Sequence, residues 1–410
     1  MKRVVITGFG IVSAIGNGKN DFWESLAKGK SGIGKIARFD SSTYEVKLSA
    51  EVKENPTYSN EIKYYADYDP KVGFAYTAFR EAIEQAKIDR LDKDTLLHFG
   101  TSLETFDLSH ITCGGKPNLK IIAKEFINGN KPPLQFPLDT PVELISKEFG
   151  TPGRKLTNCS ACVAGAQSIG HAFGAIRQGE FSSAICGGFD SMINPLGIGG
   201  FQLLGALTTS TKLGAKACRP FDSERNGTVL GEGAAIFVLE SLEKAKTEGK
   251  EILAEIVGYG SSLDAYNLTA PSPTGEGAKL AMLAALKNAK LSIDDIHYIN
   301  AHGTSTFLND EIEATAIRDV FQNWKNIPVS STKSLTGHTI GASGPVEMGV
   351  CLLPLLKGLI PPNPSLEKVG KGCELNHITQ TTKFHGQNVL SNSFGFGGQN
   401  ATLILKKYEN

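Results

Sequence analysis

Ala86-Lys87-Ile88, leading through Asp92 to Gly100-Thr101-Ser102, and Ala289-Lys290-Leu291, leading through Asp295 to Gly303-Thr304-Ser305, match at a constant offset of 203 residues. Around each match the pattern reads as a helix, a turn, a short strand and a G-T-S loop. Tyr76–Lys87 and Lys279–Lys290 carry alanines and other apolar residues at helical spacing. Upstream, Gly8-Phe9-Gly10 is echoed by Gly258-Tyr259-Gly260; downstream, Cys162-Val163-Ala164-Gly165-Ala166 faces His338-Thr339-Ile340-Gly341-Ala342. Repetition on this scale predicts a duplicated unit, the first half spanning 1–250 and the second 251–410. Asp107–Glu148, rich in Pro, Gly and Lys, reads as an insertion in the first half. Arg3–Thr7, Ser183–Cys186 and Ile296–Ile299 read as short buried strands, and their alternation with helices makes the fold class α/β.

Composition narrows the function. The 410 residues carry 42 Lys+Arg against 42 Asp+Glu, so nothing favours a nucleic acid or an anionic membrane as partner. Seven cysteines are scattered, and only Cys159 and Cys162 lie close together. That pattern fits neither a disulfide framework nor a zinc site, and a cytoplasmic location is expected. The apolar start, Val4–Gly16, is interrupted by Thr7, Gly8, Gly10 and Ser13 and reads as a buried strand rather than a signal peptide. Val346–Leu359 contains Glu347, Pro354 and Lys357 and falls short of a membrane span.

Four segments carry residues suited to chemistry. After Cys162, the residues Val163, Ala166, Ile169, Phe173 and Ile176 mark one helical face, and Gly179 is a stop signal. Cys162 is thus expected in the first turn of an apolar helix, where free amides and the positive dipole end should lower its thiol pKa. The alternative is an ordinary buried core thiol, and Cys159 keeps that reading. Asn300-Ala301-His302-Gly303-Thr304-Ser305-Thr306 runs from a short strand into a polar glycine loop, where open α/β sheets place working residues. Ser330–His338 puts Lys333 and His338 in one loop. Ser391-Asn392-Ser393-Phe394-Gly395-Phe396-Gly397-Gly398 is a glycine loop with two aromatics ahead of the strand Ala401–Leu405. Each segment taken alone reads more readily as structural.

Together, in this order, they resemble the elongating β-ketoacyl-[acyl-carrier-protein] synthases, especially those of type II. The likeness runs from Gly8-Phe9-Gly10-Ile11-Val12-Ser13 through Arg219-Pro220-Phe221-Asp222 and Gly231-Glu232-Gly233-Ala234 to the final glycine loop, nearly the whole chain. It implies the thiolase fold, two duplicated halves in a five-layer αβαβα arrangement. It implies Cys162 as the nucleophile that takes an acyl chain as a thioester, and His302 and His338 as the pair that serves a malonyl extender. Lys333 matches the supporting lysine, expected to pair with Glu313. Phe396 matches the gate and, with Cys162, supplies an oxyanion-binding amide. Thr304 and Thr306 match the threonines that bind the phosphopantetheine arm of the acyl carrier protein, and Phe201 and Phe394 further substrate-binding positions. Asn300, Glu347, Ser391 and Asn392 match a structural monovalent-cation site. No catalytic cofactor is implied, and a homodimer, or a heterodimer with a second ketosynthase-like subunit, is expected.

The chain departs from the family pattern in places. Val163-Ala164 follow the cysteine, and Phe307-Leu308-Asn309 follow G-T-S-T where a proline is usual. Leu103-Glu104-Thr105 stand at the expected pocket floor, which relatives commonly furnish with glycines. Between Glu61 and Lys71, where relatives carry basic residues that dock the carrier, Lys63 stands beside Tyr64, Tyr65, Asp67 and Asp69. These differences point toward specialised polyketide or polyene synthesis. A non-catalytic chain-length-factor-like partner is the alternative, disfavoured because such partners generally lack the nucleophilic cysteine. A degradative thiolase would need a second catalytic cysteine in the last glycine loop, which has none.

Overall fold

The computed structural model describes residues 1–53, 56, 58–104, 137–150 and 153–409, with short pieces at 112–113, 116–117, 120, 123–124 and 127. Most of the expected insertion, and Thr105 at the expected pocket floor, lie outside the described residues; the end of that insertion forms the helix Thr140–Phe149.

The first half orders its strands Val4–Ser13, Glu232–Ser241, Ser183–Ser191, Thr95–Gly100 and Arg154–Asn158; the second orders Ala254–Leu263, Gln399–Lys406, Asn388–Gly395, Tyr298–Asn300 and Pro328–Ser330. In both halves the first two pairings are antiparallel and the next two parallel. Even the irregularities repeat, with register shifts between Ile6 and Gly8 and between Ile256 and Gly258. The halves join where Val4–Ile6 pair with Ala254–Ile256. Pro70–Gln85 covers the outer face of one half-sheet, and Glu276–Ala289 with Phe307–Val320 cover the other. Between them lie Ala164–Gln178 and Ser343–Lys357, which give the duplicated five-layer αβαβα thiolase fold.

The repeated glycines have a packing cause. A Cβ on Gly8 would sit 2.2 Å from Ala82 O and one on Gly10 2.0 Å from Ala78 O. On Gly258 and Gly260 it would sit 2.5 Å from Ala285 O and 2.1 Å from Ala281 O. The helix backbone rides directly on the strand, so the strand needs glycine and the helix needs alanine. The two inner helices meet as closely: a Cβ on Gly165 would lie 2.3 Å from Pro345 Cγ, and one on Gly344 2.6 Å from Ala166 Cβ.

Two expectations need correction. The downstream echo, read at an offset of 176, is displaced by three residues. The short 3-10 turns Ala161–Val163 and Ile340–Ala342, and the helices after them, superimpose at an offset of 179, so Gly341 rather than His338 is the counterpart of Cys162. Residues 340–357 are in fact long and apolar enough by length and composition to cross a membrane, yet 89 % of that window is buried inside the protein.

Replacing Gly10 with Ala should lower stability by about 1–3 kcal/mol through overpacking, read as a fall in Tm. Gly34→Ala, where a Cβ meets nothing within 4 Å, is the control and should leave Tm unchanged.

Candidate active site

Cys162 sits in the turn that opens the first inner helix and is buried. Ala161 before it is held at φ +50°, and Ile340, its counterpart in the second half, at φ +45°. These left-handed turns aim both helix starts at one another. His338 reaches across, with Nε2 3.2 Å from Cys162 Sγ. Its Nδ1 lies 3.3 Å from the Ile340 N–H, which can only donate, and 2.8 Å from Ser343 Oγ. Nδ1 is therefore the acceptor and Nε2 carries the proton, pointing at the sulfur.

His302 reaches the same state by another route. Lys333 Nζ lies 3.2 Å from His302 Nδ1 and donates to His302 O at 2.5 Å, and also to the Glu347 carboxylate. A lysine amine offered to Nδ1 makes that nitrogen the acceptor and leaves Nε2–H free. The two rings meet edge to face with centroids 5.3 Å apart. Burial, and then Lys333, hold both imidazoles well below their ordinary pKa, so both are neutral donors.

The expected ion pair is thus replaced: Lys333 bonds Glu347, not Glu313. Glu313 instead accepts the His302 and Gly303 amides at 2.8 and 2.7 Å and braces the loop. Burial pushes both carboxyls up to about 7. The cysteine expectation is also reversed. Burial raises the Cys162 thiol to about 12, outweighing Lys333 and the amides of Phe396 and Cys162 that face the sulfur.

A cavity of about 360 Å³ opens onto this group, lined by Cys162, His302, His338, Thr304, Thr306, Phe201, Phe394 and Phe396 among others. The Phe201 and Phe396 rings lie 6.0 Å apart at its wall, and the Thr304 and Thr306 hydroxyls share a 2.9 Å hydrogen bond. Leu103 is not brought there; it is 56 % exposed on the single chain. Of the four candidate cation ligands, Asn300 Oδ1 and Glu347 Oε2 are buried with no hydrogen-bond partner among the described residues, and Ser391 faces the Cys351 thiol. Asn392 is committed elsewhere, its Oδ1 accepting from Thr402 and its Nδ2 donating to Glu313.

Sequence reasoning missed Ser343 and Asp310. Asp310 is fully buried and gathers the Thr304, Ser305 and Phe221 amides at 2.7–3.2 Å, shaping the threonine loop. Its signal was available: an acid one helical turn beyond Thr306, at the start of a helix. A thiol raised this far should alkylate about tenfold faster per pH unit. The iodoacetamide rate at Cys162 should climb from pH 7 to 10 without levelling; a plateau near pH 8 would contradict the burial argument.

The sequence matches two family models, "Beta-ketoacyl synthase, N-terminal domain" over residues 1–245 and "Beta-ketoacyl synthase, C-terminal domain" over residues 253–367. It is 38 % identical to 3-oxoacyl-[acyl-carrier-protein] synthase 2 of Staphylococcus aureus (strain COL), covering 100 % of this chain and 99 % of the relative. Among solved structures, the ishigamide ketosynthase/chain length factor is similar with a TM-score of 0.84 at 31 % identity, covering 100 % of both chains. A type II PKS acyl-carrier protein in complex with its ketosynthase bound to the hexaketide is similar at 0.87 and 28 %, covering 99 % of this chain and 100 % of that one. With a sulfur, two neutral imidazoles and two backbone amides converging on one cavity, and likeness over the full length, the chain belongs to the β-ketoacyl synthase family.

Proposed function

We propose that this synthase extends an acyl chain by two carbons through decarboxylative Claisen condensation on Cys162, for fatty-acid or polyketide elongation. The acyl thioester, carried on the phosphopantetheine of an acyl carrier protein, transfers to Cys162 Sγ, and the carrier thiol leaves with the cysteine's proton. The Cys162 and Phe396 amides stabilise the tetrahedral oxyanion of that exchange. A malonyl thioester on a second carrier then loses carbon dioxide, and the enolate oxygen accepts both Nε2–H groups. The enolate carbon attacks the acyl carbon, the bond to sulfur breaks, Cys162 leaves as a thiolate that regains a proton from solvent, and a 3-oxoacyl thioester remains on the carrier.

The single observation that supports this division is that each imidazole has its Nδ1 occupied, by Lys333 in one case and the Ile340 amide in the other, so both offer a proton from Nε2. A ring so held is an electrophile, not a base. Neutral donors suit an enolate because they add no competing positive charge that would hold the malonyl carboxylate in place. The chain-length-factor reading gives no use for this arrangement.

Around the centre, Thr304 and Thr306 bind the pantetheine arm and Phe396 gates the acyl chain, with Gly397 at φ +76° and Gly398 at φ +70° giving the loop its freedom. Asn300 Oδ1, Glu347 Oε2 and Ser391 Oγ form an oxygen set that suits a monovalent cation, which would offset the buried carboxylate. Leu103 reaches the pocket floor of a partner subunit in a dimer. The 1–250 and 251–410 halves act as donors of nucleophile and of imidazoles respectively.

Cys162→Ala should abolish acyl loading and condensation; retained chain extension would remove the assignment. His302→Ala or His338→Ala should each slow malonyl decarboxylation by roughly 10²–10³, the cost of one oxyanion donor. That step should stay flat as pH falls from 7.5 to 6 in the wild type, because both pKa values lie below the ordinary imidazole range and protonation comes later. Leu103→Phe should shorten the products; an unchanged product spectrum would take Leu103 out of the pocket.

A further inference from the structure

Ser343 opens the second inner helix, and the turn through the left-handed Ile340 brings this first helical residue back against the ring of His338. Its hydroxyl is buried and lies 2.8 Å from His338 Nδ1; the Thr339 Oγ1, also buried, lies 3.3 Å from Ser343 Oγ. The Ile340 N–H approaches the same ring nitrogen only to 3.3 Å. The backbone of His338 is pinned separately, its N–H donating to Val229 O at 2.7 Å and its carbonyl accepting from the Gly231 N–H at 2.9 Å. What the backbone leaves open is rotation of the side chain, and the Ser343 hydroxyl is the shortest contact that stops it.

The hydrogens run in one direction. An amide can only donate, so Nδ1 carries no proton and the Ser343 hydroxyl must donate to it as well. The serine oxygen is then left to accept from the Thr339 hydroxyl. Donation at Nδ1 keeps Nε2 facing Cys162, and it draws electron density across the ring, which strengthens Nε2–H as a donor. The fold offers an internal comparison. At the offset of 179 residues Ser343 corresponds to Ala164, which opens the first inner helix, and His338 to Cys159. The two helix starts are built alike, yet the hydroxyl stands only in the half that has a ring nitrogen to serve. Ser343 is not among the residues lining the cavity, so any effect it has on the reaction passes through His338.

We infer that Ser343 is a positioning residue for the condensation: its hydroxyl, oriented by Thr339, holds His338 with Nε2–H turned to the substrate oxygen, a task the Ile340 amide does not perform alone. The inference rests on the proposed function, in which the enolate oxygen accepts that proton.

The test uses the full-length chain with Ser343→Ala, a residue the fold already carries at the equivalent Ala164, and Thr339→Val as a second variant. On a malonyl thioester of an acyl carrier protein, Ser343→Ala should lower kcat for decarboxylation about three- to tenfold, the worth of one neutral hydrogen bond, and move KM less than about twofold. Single-turnover loading of an octanoyl carrier thioester onto Cys162 should also change less than about twofold, because backbone amides serve that step. In protein labelled with ¹⁵N-histidine, the His338 Nδ1 resonance should move toward that of an unprotonated ring nitrogen with no donor. Thr339→Val should move it the same way by less. The inference is overturned if Ser343→Ala decarboxylates as fast as wild type, or if the Nδ1 resonance stays in place. It is equally overturned if loading falls as far as decarboxylation, which would make the serine a structural residue only. A wild type that neither loads nor decarboxylates would instead sink the proposed function, and the nitrogen spectrum would still report whether Ser343 holds the ring.

Discussion

Everything at the centre follows from how closely two helix starts can approach. Gly165 lies against Pro345 and Gly344 against Ala166, with no room for a Cβ on either glycine. Only at that spacing does the turn carrying Cys162 come within reach of the loop carrying His338. The constraint is steric, yet its product is electronic: a sulfur from one half of the chain is placed 3.2 Å from a ring nitrogen of the other. Neither half contains this cluster by itself.

The electrostatics then run against the ordinary expectation for a nucleophilic cysteine. A helix start suggests an activated thiolate, but this one is buried at the inner end of its cavity, and desolvation dominates. The same burial keeps the imidazoles neutral and the Glu347 and Glu313 carboxyls partly protonated near pH 7. The site stores little net charge at rest. Its oriented N–H groups would need no reorganisation to meet a negative charge appearing beside them.

Much of this was legible in the residues. The G-x-G strands, the alanine-spaced helices and the G-T-S loops recur because the same close strand–helix contact is built twice, and identical geometry demands identical small residues. Cys162, His302, His338 and Lys333 were legible from their loops and meet as expected. What failed was information of a different kind. The 176-residue echo paired glycines and alanines that match by chance, while the true correspondence at 179 lies in backbone shape. Glu313 and Glu347 are both acids on helices after working loops, and sequence cannot say which one faces the lysine. The thiol's pKa depends on enclosure from all sides, which no local motif encodes. Leu103 is exposed and away from the cavity, so its expected place at the pocket floor is not met on the single chain.

Ala161 and Ile340, the two left-handed residues ahead of the inner helices, are each held at a cost of about 1–3 kcal/mol. Side chains with a Cβ tolerate that conformation only while the surrounding packing insists on it. The alignment of Cys162 with His338 is therefore under tension, like a drawn bow kept taut by the walls around it. If that packing loosened, these elbows would relax toward right-handed conformations. Catalytic competence would then fade while the layered scaffold is still intact.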